Sequence, residues 1–120
     1  MHIIRRVYRK LRHSVDGIKF TFLNEPSFRQ WLGLVVSINC FSLLMLDNTM
    51  ATGGILALSF LLLASELINT SIEVLVDYAH PQQGNAARRA KDCASAMTLL
   101  TFLALLSFLT GSICYRFDLL

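Results

Sequence analysis

Three uncharged runs, Gln30–Leu46, Asn48–Ser65 and Cys93–Tyr115, set the limits on how this chain folds. A bilayer core about 30 Å thick takes roughly 20 predominantly apolar residues as a helix. The third run is long enough alone, and the first two reach that length by borrowing flanking residues. A soluble domain of 120 residues would not carry three such runs. Backbone polar groups inside lipid must be satisfied within their own segment, so each run is expected as a helix. The expected fold is an all-α membrane protein with one domain over 1–120. It comprises a surface helix at 1–24 and spans at 28–47, 49–79 and 86–115, the second continuing into the cytoplasm.

Charge sets the orientation. Lysine and arginine gather in the N-terminal segment, from Arg5 to Lys19, and again at Arg88-Arg89-Ala90-Lys91, whereas the Asp47-Asn48-Thr49 turn has none. Positive-inside bias puts the N-terminus and the second loop in the cytoplasm and the C-terminus outside. The small net charge of +3 comes mainly from the N-terminus and fits membrane-surface contact rather than nucleic acid. In the N-terminal segment Ile3, Ile4, Val7, Tyr8, Leu11, Val15, Ile18 and Phe22 recur at steps near three and four. That pattern is expected as an amphipathic helix in the interface, most of its arginines holding anionic lipid. Ser14–Lys19 interrupts any apolar core, so no cleavable signal peptide is read here. Cys40, Cys93 and Cys114 are odd in number and widely spaced, which fits neither a zinc site nor a disulfide framework.

The second run leads into Glu66-Leu67-Ile68-Asn69-Thr70-Ser71-Ile72-Glu73-Val74-Leu75-Val76-Asp77. On a helix, Glu66, Asn69, Glu73 and Asp77 fall in a stripe roughly 80° wide. A helix leaving the membrane also turns polar as it meets water. Yet a charge at the bilayer centre costs roughly 2.5–3.5 kcal/mol on the insertion scale, and intramembrane ionisable residues are functional by default. Three carboxylates in one stripe therefore read as a site. If the span starts at Met50, its cytoplasmic boundary falls near Thr70, with Glu66 about 6 Å inside it and Glu73 roughly as far outside. Glu25, at the corner made by Asn24-Glu25-Pro26, and Lys91-Asp92 converge on the same membrane face.

These depths suggest a chemistry. An embedded, poorly hydrated carboxylate suits a general base acting on a lipid hydroxyl. Glu73 with Glu25 suits magnesium, which prefers a few carboxylates plus phosphate oxygens. Lys91 suits phosphate. Together they spell phosphoryl transfer from a nucleotide to a lipid hydroxyl, which is mostly positioning and charge stabilisation. No GxxxxGK[ST] loop and no glycine-rich kinase loop is present, so a nucleotide site here is unlike the common ones.

The pattern Glu66-x-x-Asn69-Thr70-x-x-Glu73-x-x-x-Asp77, followed by Ala90-Lys91-Asp92 and preceded by Asn24-Glu25 with Phe28-Arg29-Gln30, resembles the prokaryotic diacylglycerol kinase family over nearly the whole chain. The resemblance implies a homotrimeric, three-span kinase of the bacterial inner membrane that uses ATP and magnesium to convert diacylglycerol to phosphatidic acid. It implies Glu66 as the base, and Glu25 and Glu73 as metal ligands. It implies Arg6, His13, Gln82, Gln83, Gly84, Lys91 and Asp92 at the nucleotide, and Arg6, Phe28, Trp31 and Ser95 beside Glu66 at the lipid. Asn69 and Asp77 support the site. Some members phosphorylate undecaprenol, so that acceptor is an alternative.

Two readings of other classes compete. A small proton-coupled transporter explains Glu66 but not the aligned Glu73, Asp77, Lys91 and Glu25, and transporter acids lie nearer the midplane. A non-catalytic assembly subunit would use the stripe only to pair helices. ATP consumption that depends on added lipid separates the kinase from both.

Overall fold

The computed structural model describes residues 2–82 and 84–119, with nothing said of the His2 side chain, and forms four helices with no strand among the described residues. They are α1 (His2–Asn24), α2 (Pro26–Met45), α3 (Thr49–Ala79) and α4 (Asn85–Arg116). α2, α3 and α4 are each long and apolar enough to cross a membrane.

The breaks between helices have local causes. Glu25 sits at φ −107° and ψ 108°, the extended geometry that a residue before proline favours. Pro26 opens α2, where its missing N–H costs nothing. Arg29 then reaches back, and its Nη1 donates to the carbonyls of Phe22 at 2.8 Å and Leu23 at 3.2 Å. Those are carbonyls that the last turn of α1 leaves without helical partners. At the next break the Asn48 side chain accepts from the backbone N–H groups of Met50 and Ala51 at 2.9 and 3.2 Å, capping α3. α3 stops at Ala79 ahead of His80-Pro81, and α4 starts behind Gly84 without a side-chain cap.

α3 is the centre of the molecule and packs against each of the other three helices. It runs antiparallel to both long neighbours. Asn39 Nδ2 on α2 donates to Ser59 Oγ at 2.8 Å, and Ser65 on α3 lies against Thr98 on α4. The apolar core is Val35, Leu46, Ile55, Leu62 and Leu105. Trp31 and Phe102 stack above it with ring centroids 5.0 Å apart. At Gly54 an added Cβ would lie 2.5 Å from the Phe108 ring, whereas Gly53 meets nothing within 4 Å. Of the adjacent pair, Gly54 is the one that lets a neighbouring helix come close.

Several hydroxyls within the spans are satisfied on their own helix. Ser37, Ser59, Ser107 and Ser112 each donate to the carbonyl four residues back, which removes an unpaired polar group from an apolar setting. Ion pairs pin the two ends. Arg116 at the end of α4 holds Asp47 at 2.7 Å, and Lys91 near the start of α4 holds Asp77 near the end of α3. With 31 residues, α3 is about 46 Å long. It therefore outreaches a 30 Å core, and the carboxylates occupy its C-terminal half.

Candidate functional site

Glu66 lies on the inward face of α3 and is 4% exposed. Each of its carboxylate oxygens accepts one hydrogen bond. Ser27 Oγ, in the first turn of α2, donates to Oε1 at 2.5 Å. Thr98 Oγ1, on α4, donates to Oε2 at 3.2 Å. Ser65, buried one residue earlier on α3, donates to the Leu62 carbonyl at 2.7 Å and lies 3.5 Å from Thr98 Oγ1. A buried carboxyl group needs such partners, because an unpaired polar group away from solvent is costly. The three helices therefore meet at one carboxylate.

Asn69 follows one turn along α3, and its Nδ2 donates to Glu73 Oε1 at 3.0 Å. The Asn69 amide oxygen is buried and has no partner among the described residues. Glu73 is half-buried and lies two turns, about 10 Å, beyond Glu66. Glu25 is half-buried at the start of α2. Continuing the register set by Ser27–Glu66 and Asn39–Ser59 places Glu25 opposite residues 67–68, about one and a half turns short of Glu73. Neither Glu25 nor Glu73 takes part in an ion pair among the described residues, whereas Asp77 and Asp92 do. No group of three metal-ligating side chains gathers among the described residues. Two half-buried carboxylates without cationic partners, about one and a half turns apart in register, fit magnesium, which takes its remaining ligands from phosphate oxygens and water.

Asp77 is exposed and holds Lys91, whose side chain is 28% exposed. The ammonium is thus kept on the α3 side of α4, two turns from Thr98. The face of α4 turned toward α3 carries Ala87, Lys91, Ala94, Thr98 and Leu105, all buried except the half-buried lysine. Ala87 and Ala94 are small, which allows the close approach. Asp92 and Ser95 are exposed beside that face, and Asp92 pairs with Arg88 at 3.7 Å. A shallow hollow of about 170 Å³ lies among Ala87, Arg88, Lys91 and Asp92.

The other expected residues are more scattered. Phe28 is buried at 3% exposure, one turn after Glu25 and beside Ser27. Trp31 continues that line but is taken up by Phe102. Arg6 and His13 are exposed on α1, which touches α2 and α3. Gln82 is in the exposed turn after α3, and Gly84 caps α4. Gln83 lies outside the described residues.

Sequence reasoning missed Ser27 and Thr98. It weighed ionisable side chains, and both of these are uncharged hydroxyls in company with many others. A usable signal exists for Thr98, which follows Lys91 by seven residues and so shares its face.

The family model described as prokaryotic diacylglycerol kinase matches residues 12–114. A protein named diacylglycerol kinase from Helicobacter pylori is 32% identical over 96 residues, covering 80% of this chain and 75% of that one. One of the same name from Escherichia coli K12 is 29% identical over 99 residues, covering 82% and 80%. A third, from Haemophilus influenzae, is 25% identical over 104 residues and covers 87% of each. A polar constellation built around a buried carboxylate, three apolar helices and a match over nearly the full length agree, and the chain belongs to the prokaryotic diacylglycerol kinase family of membrane phosphotransferases.

Proposed function

We propose that this protein transfers the γ-phosphoryl group of ATP to the hydroxyl of diacylglycerol, giving phosphatidic acid at the cytoplasmic face of the bacterial inner membrane. The observation that carries this reading is Glu66, 4% exposed and held by hydroxyls of two neighbouring helices, at the inner end of a polar stripe that runs on to Asp77 along a helix longer than a bilayer core.

In this reading Glu66 takes the proton of the lipid hydroxyl as its oxygen attacks the γ-phosphorus. The bond from that phosphorus to the bridging oxygen breaks, and ADP leaves with the bond's electron pair. Glu25 and Glu73 would hold magnesium, which when bound would supply charge neutralisation for the transferring phosphoryl group. Lys91 reaches the phosphates from its place beside Asp77, roughly two to three helical turns from the base. Asn69 keeps Glu73 oriented and leaves its own buried oxygen free to accept from a substrate donor. Phe28 and Trp31, at the start of α2, flank the lipid, and Ser95 lies by it. Arg6, His13, Gln82, Gln83, Gly84 and Asp92 line the nucleotide side. α1 lies in the headgroup layer with the N-terminus cytoplasmic. The chain works as a closed oligomer, because the stripe must be hidden from hydrocarbon and one chain leaves much of α4 uncovered; the resemblance to the family makes that oligomer a homotrimer.

The test is ATP turnover by purified protein in micelles, with diacylglycerol and undecaprenol as rival acceptors. Turnover that depends on diacylglycerol and yields phosphatidic acid is the expected result. Turnover on undecaprenol alone would reassign the acceptor, and no turnover on any lipid hydroxyl would overturn the kinase reading.

A further inference from the structure

Most membrane-span hydroxyls in this chain bond to their own helix. Ser37, Ser59, Ser107 and Ser112 donate to the carbonyl four residues back, as such residues do in an apolar setting. Thr98 is 5% exposed, yet its hydroxyl donates across to Glu66 on α3. Ser27 is the second residue of α2, where the carbonyl four residues back belongs to α1, and its hydroxyl also goes to Glu66. Two hydroxyls on two helices thus meet one carboxylate on a third, one at each oxygen.

We propose that Ser27 and Thr98 are positioning residues for the reaction. They fix the Glu66 carboxylate in one plane and one rotamer, aimed at the place where the acceptor hydroxyl enters. The proposal rests on Glu66 being the base. A carboxylate offers about four lone-pair sites. Ser27 and Thr98 take one on each oxygen, so one remains on each for the incoming hydroxyl. Glutamate has three side-chain torsions, and among the described residues these two hydrogen bonds are the ones that restrain the last of them. Productive geometry needs the base within about 0.5 Å and 10–20° of its place. A misplacement of about 1 Å can cost a hundredfold in rate. Ser27 has a second consequence. It lies two residues from Arg29, in the same first turn of α2, and the Arg29 guanidinium is bound to the end of α1, so the turn that steers the base is itself anchored.

The test compares Thr98→Val, Thr98→Ser, Ser27→Ala and Ser27→Thr with the parent. Two readouts are needed: lipid-dependent turnover, and infrared carboxylate bands isolated by subtracting the Glu66→Gln spectrum. In Thr98→Val and Ser27→Ala, turnover should fall about tenfold to hundredfold, with KM for lipid and for magnesium-ATP within about twofold of the parent. Thr98→Ser and Ser27→Thr should restore most of the loss. The Glu66 bands should move in the two hydroxyl-deleted variants and return in the conservative ones. Parent-like turnover in both deletions, a loss that the conservative variants do not rescue, or unmoved bands would overturn the clamp. An inactive parent would instead overturn the kinase reading, and the infrared bands would still decide whether the hydroxyls hold the carboxylate.

Discussion

Glu66 and Asp77 share one face of α3, about 16 Å apart, and meet opposite surroundings. Glu66 is sealed among hydroxyls, whereas Asp77 is exposed and tied to Lys91. That contrast separates their effects. Glu66→Gln should abolish turnover and leave magnesium-ATP binding nearly intact, which kinetics and nucleotide titration would show; near-normal turnover removes Glu66 as the base. Glu25→Gln and Glu73→Gln should mainly weaken metal–nucleotide binding and be partly rescued by raised magnesium. An unchanged magnesium dependence in both would exclude them as ligands. The carboxylates of the site were legible because ionisable groups stand out against an apolar run. Ser27 and Thr98 were not, since a hydroxyl in such a run ordinarily bonds to its own backbone and carries no mark of the few that do otherwise.

Among the helices, boundaries were more legible than faces. Pro26, Asn48 and Pro81 stop or start helices through fixed torsions, a missing donor or a capping side chain, and all three act through residues close by in sequence. The rotation of α4 about its axis depends on its neighbour. Ala87 and Ala94 admit α3, which turns Lys91 and Thr98 inward and leaves Asp92 and Ser95 outside; helical spacing alone could not show which face packs. The helices also differ in what holds them. Asn48→Ala should cost about 1 kcal/mol through the lost cap, and Leu62→Ala about 2–5 kcal/mol through a cavity in a fully buried position. Unfolding in mixed micelles would measure both. Equal losses would mean that the core near Leu62 collapses around the smaller side chain.

For the whole molecule, the question is which chain completes which site. Within one chain, α4 presents Thr98 to Glu66 and Lys91 to Asp77, so one chain brings both Glu66 and Lys91 to the same stripe. Large apolar residues such as Leu43, Leu44, Phe60, Leu99 and Leu100 remain exposed, leaving surface for lipid or for other copies. Mixing Glu66→Gln with Lys91→Met before assembly distinguishes the arrangements. If both residues serve one site from one chain, mixed oligomers stay inactive. If neighbouring chains supply them, random equal mixing in a closed cyclic assembly makes about a quarter of sites complete. No recovered activity despite demonstrated mixing would refute sharing between these two residues.

The hydroxyl partners of Glu66 also bear on how the chain is made. During synthesis α2 emerges first, then α3, then α4. When α3 enters the bilayer, Glu66 brings an ionisable group whose insertion costs roughly 2.5–3.5 kcal/mol at full depth. Ser27 is already present on α2 to accept it, while Thr98 arrives only with α4. The middle segment therefore enters the membrane as the least comfortable of the three and gains its second partner last. Biogenesis should accordingly favour a nascent α2–α3 hairpin over α3 alone, and α4 should act as the closing segment that commits the chain to its native arrangement.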